Sequence, residues 1–346
     1  MKILHIISSR GWGGAENSAI YLAKKQIEKG HRSIFFIHLL NKKMRFLLES
    51  NGVPCYSIFD PEKKNIFAIK KIISICRKEN IDVLHTHLGT GNYLGVLAGN
   101  YLNIPVLSTI NIFSGYPYYA LANKLCFSSA ALKDYFIKYF SNEEYKNYKP
   151  AYIERIINNI FGLKYGFLGI NEIEKKMGIA YERLDEDRFI NYNYNHNANA
   201  NDDEILYGFK NFFNIGITGR VTEQKGQVYF VKAAELLLKE KNSNALRHSK
   251  PLMFHIVGSG NDEKMLKKMV NKMGIESNFR FWGYQSDVRK FVAMFDIAVS
   301  CSLNEPLGIN NLEYMFMKKP CIATNTGGIP EVYGDTNIII PPKRPC

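Results

Sequence analysis

A chain of 346 residues is long enough for two domains of ordinary size, and a composition 46% hydrophobic and 22% charged belongs to a globular protein. No apolar run reaches membrane-spanning length, and the apolar part of MKILHIISSRGWGG is too short for a signal peptide, which predicts a first strand and a cytoplasmic protein. The net charge of +13 favours anionic partners, but its lysines are scattered pairs without an aromatic-studded basic motif, which favours an anionic membrane surface over a nucleic acid.

Residues 3–8 read as an apolar strand, followed by a glycine loop holding Gly13 and Gly14 and a helix from about Asn17 to Lys29. Strand, glycine loop and helix let backbone N–H groups approach a ligand closely, although G-x-G-x-x-G is missing. Strands follow at 31–40 and 52–59, then a basic amphipathic helix at 65–79. The next strand, IDVLHTHLG, carries His85 and His87; two residues apart on a strand, they point the same way. They either face one site together, or one caps the strand end while the other packs. A helix at 92–101 leads to a strand at 104–109, after which comes Asn111. Residues 142–204 are polar and tyrosine-rich. Within them NYNYNHNANANDD (191–203) is of low complexity and predicts a flexible loop.

The second half repeats the alternation. A strand at 212–218 precedes the loop Gly219 to Gly226, where Arg220 and Lys225 can converge on a diphosphate as a fork and a point charge, or remain solvated loop cations. A strand at 253–258 ends at Gly258, and one at 279–282 ends before Tyr284. The stretch 296–331 predicts a strand, a loop with Glu305, a helix from about Gly308 to Met317 and a strand at 321–324. Glu305 and Glu313 are separated by a little over two helical turns, so Glu313 can face back toward the loop. Between them the helix start (Leu307, Gly308, Ile309) offers backbone N–H groups and the positive dipole end to a phosphate. The six cysteines (55, 76, 126, 301, 321 and 346) lack C-x-x-C pairing, predicting reduced thiols and no metal.

The E-x7-E spacing of Glu305 and Glu313, with the tail TNTGGIPE, resembles the retaining glycosyltransferases of family 4. That resemblance implies an α/β GT-B fold, two Rossmann-like parallel-sheet domains facing across a cleft. The low-complexity segment places their boundary at 205/206: an acceptor-side domain at 1–205 and a nucleotide-sugar domain at 206–346, the latter shortened at its C-terminus and so leaving an apolar sheet face uncovered. By the same resemblance Arg220 and Lys225 bind the donor diphosphate and Glu305 holds hydroxyls of the donor sugar. Glu313 holds the ribose, Gly258 and Tyr284 border the base, and the Gly13-Gly14 loop lies near donor and acceptor. His85, His87 and Asn111 are then candidates for the acceptor side of the cleft. Many relatives carry a histidine where Asn111 stands.

The function implied is transfer of a sugar, with retention, from a nucleotide-diphosphate donor to a hydroxyl of a lipid-linked or cell-envelope glycan such as lipopolysaccharide. It needs no cofactor and no metal, since cationic side chains neutralise the leaving group. The expected partners are the nucleotide sugar, the glycan acceptor and the inner face of the cell membrane, with no nucleic acid. Asn111 and the shortened end keep open a non-catalytic binding or scaffold subunit. A sugar-nucleotide epimerase of the same architecture is the other alternative.

Overall fold

The computed structural model describes residues 1–59, 65–115, 117–162, 168–185, 187–190, 192, 208–241 and 250–343. The low-complexity stretch 191–203 lies outside them, Tyr192 excepted. The chain divides into two compact units, Met1–Arg183 and Leu184–Cys346. The division therefore precedes the expected 205/206 boundary. The physical reason is that Leu184 and Phe189 are buried, and the Phe189 ring packs 6.3 Å from Phe316 in the second unit's own helix.

In the first unit seven parallel strands are described: β1 (Lys2–Ile7), β2 (Arg32–His38), β3 (Cys55–Ile58), β4 (Val83–His87), β5 (Val106–Ile110), β6 (Lys124–Phe127) and β7 (Met177–Ile179). Their order in the sheet is β3-β2-β1-β4-β5-β6-β7. The strands are short apolar runs because both faces are covered. Leu4 and Ile6 face the helices Ile66–Glu79 and Leu88–Leu102, whose packing faces are Ile69, Ile72 and Leu94, Leu97. Ile7, Phe35 and Ile37 face Ala19 and Ala23 of the helix Gly14–Glu28 and Met44 and Leu48 of the helix Lys42–Ser50. Asn65 and Asn41 start two of these helices, each side chain accepting from the amide three residues on (Ala68 and Met44).

In the second unit the described strands are β8 (Phe213–Thr218), β9 (Leu252–Val257), β10 (Phe279–Phe281), β11 (Ile297–Ser300), β12 (Cys321–Thr324) and β13 (Ile338–Ile340). All pair in parallel, in the order β10-β9-β8-β11-β12-β13. Ile215, Ile217 and Val299 bury one face under the helices Gln227–Lys241 and Glu263–Lys272. Phe295, Ala298, Tyr314 and Tyr333 fill the other. In both sheets the order reverses beside the first strand of the unit, the place where open α/β sheets leave a crevice at strand carboxyl ends.

Candidate active site

Two loops at the carboxyl ends of neighbouring strands β8 and β11 build the densest cluster of predicted residues. After β8 the chain makes a tight turn at Glu223–Lys225 and ends it at Gly226, whose φ is 65°. A Cβ on Gly226 would lie 2.0 Å from the carbonyl oxygen of Cys301, so only glycine lets this loop press on the loop after β11. The two loops are stitched together: Leu303 N–H donates to Gln224 O at 2.8 Å, and Gln224 Nε2 donates to Asn304 O at 2.8 Å. That seating carries Lys225 to Glu305, to whose Oε2 it donates in an ion pair. Ser302 Oγ donates to the same oxygen at 3.0 Å. Both donors therefore meet Oε2.

The TNTGGIPE tail buttresses the Glu305 loop. Thr324 Oγ1 donates to Ser302 O at 2.6 Å and Thr326 Oγ1 to Leu303 O at 3.0 Å. Gly328 N–H donates to Glu305 O at 2.9 Å. The helix Ile309–Phe316 starts immediately beyond, capped by Gly308 at φ 92° with Leu307 buried before it. Its first amide groups have no acceptor within the helix. Beneath Gly308 the buried Nδ2 of Asn311 also lacks an acceptor among the described residues, while its Oδ1 accepts from Tyr333 OH at 2.9 Å.

Glu313 stands one turn further along this helix. Its surface is only partly covered, yet protein atoms enclose the carboxyl closely, and this burial raises its pKa to about 7. Arg188 and Lys225 oppose that rise and Asp287 adds to it, so these charges share one neighbourhood with Glu313. Arg289 fixes part of it: Nε donates to Asp287 Oδ1 at 2.8 Å and Nη1 to Arg188 O at 2.5 Å. Arg220 is exposed on the β8 loop, its carbonyl held by Gln227 Nε2 at 2.9 Å. Gly258 ends β9 with φ 142°, and a Cβ there would meet Gly219 O at 1.9 Å. It bridges to Gly283, and the exposed Tyr284 follows. The structure thus brings Glu305, Lys225, Leu307, Gly308, Ile309 and Glu313 together; Arg220, Gly258 and Tyr284 end adjacent strands of the same sheet.

The remaining predicted residues belong to the first unit. Gly13, in extended backbone, caps the helix that Gly14 opens. His85 and His87 do point the same way, and His5 of β1 joins them, since β1 and β4 pair with His5 opposite His85. His5 Nδ1 lies 3.1 Å from His87 Nε2, His5 Nε2 meets Gln26 Oε1 at 2.8 Å, and His85 Nε2 meets Thr109 Oγ1 at 2.7 Å. One nitrogen from each ring falls within 4.8 Å of the others, close enough to consider a cation. The His85 and His87 rings, however, stack at 4.4 Å and 27°, so their in-plane lone pairs run side by side rather than converging. Burial lowers the His5 pKa to about 4 and, with mutual repulsion, those of His85 and His87 well below the ordinary value. The trio is a core of neutral, hydrogen-bonded rings. Asn111 Nδ2 donates to Glu182 Oε1 at 3.1 Å.

Sequence reasoning missed His5, Ser302, Arg188, Asp287 and Arg289. The first was within reach, because a doubly wound order sets strand one beside strand four and gives His5 the same facing as His85. No local motif marks Arg188.

The family models Glycosyltransferase Family 4 and Glycosyl transferases group 1 match residues 12–144 and 207–345. In sequence the chain is similar to N-acetyl-alpha-D-glucosaminyl L-malate synthase of Bacillus anthracis, 23% identical over 349 residues, 94% of this chain and 80% of that protein. It is also similar to the UDP-Gal:alpha-D-GlcNAc-diphosphoundecaprenol alpha-1,3-galactosyltransferase of Escherichia coli, at 22% over 77% of this chain and 63% of that one. Among solved structures it resembles Anabaena Alr3699/HepE in complex with UDP and glucose (TM-score 0.73, 19% identity, 99% of this chain and 86% of that one). A glycosyltransferase from Rickettsia africae is comparably similar (TM-score 0.72, 21% identity, 99% and 84%). Two Rossmann-like sheets with these matches define a glycosyltransferase of the GT-B fold. Within that class the chain belongs to the family 4 type.

Proposed function

We propose that the protein moves a hexose-type sugar from a nucleotide-diphosphate donor to a hydroxyl of a lipid-linked or cell-envelope glycan, with retention at the anomeric carbon. The observation that carries this reading is the Lys225–Glu305 pair seated beside the start of the helix Ile309–Phe316. Lys225, Arg220 and the amides from Leu307 to Ile309 hold the diphosphate, where negative charge grows as the donor bond breaks. Glu305 positions Lys225 through Oε2 and accepts a donor-sugar hydroxyl through Oε1. Glu313 takes the ribose hydroxyls, and Gly258 and Tyr284 border the base. The acceptor oxygen bonds to the anomeric carbon while the bond to the diphosphate oxygen breaks, and the acceptor proton leaves with the diphosphate. Lysine and arginine neutralise the leaving group without a metal, so turnover is expected to persist in excess chelator. Loss of turnover there would refute that part.

The acceptor class rests on similarity to a transferase whose name specifies a diphosphoundecaprenol-linked substrate, and on a net charge of +13 suited to work at the inner face of a membrane. Gly13 and Gly14 remain our donor-side candidates and His85, His87 and Asn111 our acceptor-side ones, the enclosed histidines by supporting the strand ends rather than by touching the acceptor. The test is nucleotide release from UDP-, GDP- and ADP-sugars in the presence of membrane-extracted glycolipid, with the product anomer assigned by NMR. A second reading, a donor-binding subunit without turnover, is favoured by one observation. The Asn111 amide, already bonded to Glu182, cannot exchange a proton near neutral pH. Donor binding without nucleotide release would select it.

A further inference from the structure

At the edge of the first sheet, aromatic rings stand in solvent where a closed surface would bury them. Phe46 is 69% exposed, Phe59 65% and Phe67 75%, and Leu39 and Leu40 beside them are also exposed. They belong to one corner. β2 and β3 are paired with His38 opposite Ile58, and Leu39 N–H donates to Ile58 O at 2.9 Å, which sets Leu39 beside Phe59. The helices Lys42–Ser50 and Ile66–Glu79 flank the same edge strand. Arg45 reaches the Ser57 hydroxyl and Lys71 Nζ the Ser57 carbonyl at 2.9 Å.

The outward positions of the helix Ile66–Glu79 recur at helical spacing: Phe67, Lys70, Lys71, Ser74, Arg77 and Lys78. That face carries four cations and no acid. The helix's own glutamate, Glu79, is turned inward, accepting from Tyr56 OH at 2.5 Å and pairing with Arg32 at 3.1 Å. On the helix Lys42–Ser50 the outward positions are Lys42, Phe46, Glu49 and Ser50. Exposed phenylalanines beside a helix face of four cations match a bilayer interface, where rings enter the acyl boundary and cations meet lipid phosphates. A protein partner would need acidic side chains to answer the same face. An anionic bilayer supplies continuous negative charge without them.

We propose that this corner docks the protein on an anionic lipid bilayer, Phe46, Phe59 and Phe67 inserting while Lys42, Lys70, Lys71, Arg77 and Lys78 lie against the headgroups. No helix among the described residues is long and apolar enough to cross a membrane, and docking through this corner requires none. The inference deepens the reading of a membrane-linked acceptor and rests on it only for which membrane is meant.

The test uses no donor and no turnover, so its failure is separable from failure of the proposed reaction. The full chain is cosedimented with vesicles of phosphatidylcholine alone and of phosphatidylcholine mixed equally with phosphatidylglycerol. Binding is expected to the mixed vesicles only and to weaken with salt. The F59S/F67S double variant should bind at least about tenfold more weakly. Lys70→Gln should lower binding about fivefold. All these positions are exposed, so each variant should keep the parent's melting temperature. Equal binding to both vesicle types, no binding, or binding unchanged in F59S/F67S would overturn the proposal. So would a solution dimer that the double variant dissolves, because a second copy would then cover the corner.

Discussion

His5, His85 and His87 in the first unit and Lys225 and Glu305 in the second sit at or beyond the carboxyl halves of central parallel strands, yet they meet burial with different partners. The histidines are enclosed with one another, with Gln26 and with Thr109, and they survive burial by giving up charge. In the second cluster Lys225 is ion-paired with Glu305 beside the open helix start, which adds positive potential. A neutral core stabilises a sheet. A charged pair beside unsatisfied amides is what the proposed diphosphate site requires. The same sheet topology thus carries an enclosed ring cluster in one place and, on the function proposed above, a donor site in the other, and the difference lies in which side chains the strand-end loops deliver.

The largest effect that sharpens this contrast is on turnover. Arg220→Ala removes an exposed cation, so folding should be untouched while transfer falls about 10²–10³-fold. Steady-state rates beside a thermal melt check both halves of that statement. A matching loss from His85→Gln, in a variant that stays folded, would blur the contrast by giving the neutral core a catalytic part.

Next in size is the loop seating. Gly226→Ala puts a methyl group into the Cys301 carbonyl and forces a left-handed backbone on alanine, so it should destabilise the second unit by about 1–3 kcal/mol. Urea unfolding would measure it. No change would mean that the two loops are less closely seated than the geometry requires.

The two clusters should also bend stability with pH in opposite senses. The carboxyl of Glu313 has its pKa raised by burial to about 7, so the folded state holds a proton that the unfolded state releases. Its stabilising share is full below the ordinary carboxylate range and is lost as pH rises toward 7, about 1–2 kcal/mol after allowance for partial exposure. Glu313→Gln should remove that alkaline-side loss. His5 is lowered to about 4, so its share is present above the ordinary histidine range and is lost as pH falls from about 6.5 toward 4. His5→Gln should flatten that acid limb. Stability curves for the wild type and both variants between pH 4 and 8 would show the limbs separately, and slopes of one sign would break the comparison.

Much of this was legible in the chain. The strands could be read because each is a short apolar run closed by turn residues, and the E-x7-E stretch because its strand, loop and helix are contiguous in sequence. The tail TNTGGIPE gained its physical meaning only in three dimensions, where its threonine hydroxyls and the Gly328 amide hold the Glu305 loop. The unit boundary was misplaced because residues 142–183 look polar on average, while their few apolar side chains, Tyr145, Ile157, Phe161 and Ile173, are buried in the first core. The helix Lys42–Ser50 had a readable signal, Asn41 as a cap before an amphipathic run, and was passed over. Phe46 and Phe67 could not be recognised as exposed, because an aromatic in an amphipathic helix ordinarily marks the buried face.

The central claim is that Lys225 and Glu305 form part of a nucleotide-diphosphate site. Its most direct test is calorimetric titration of UDP-, GDP- and ADP-sugars into the wild type and Lys225→Met, each shown to be folded by its melting curve. One nucleotide class should bind the wild type, and the variant should bind it at least about tenfold more weakly, the loss expected for a charge-assisted contact. Equal affinity in the two proteins, or no binding of any nucleotide sugar by the folded wild type, would contradict the account.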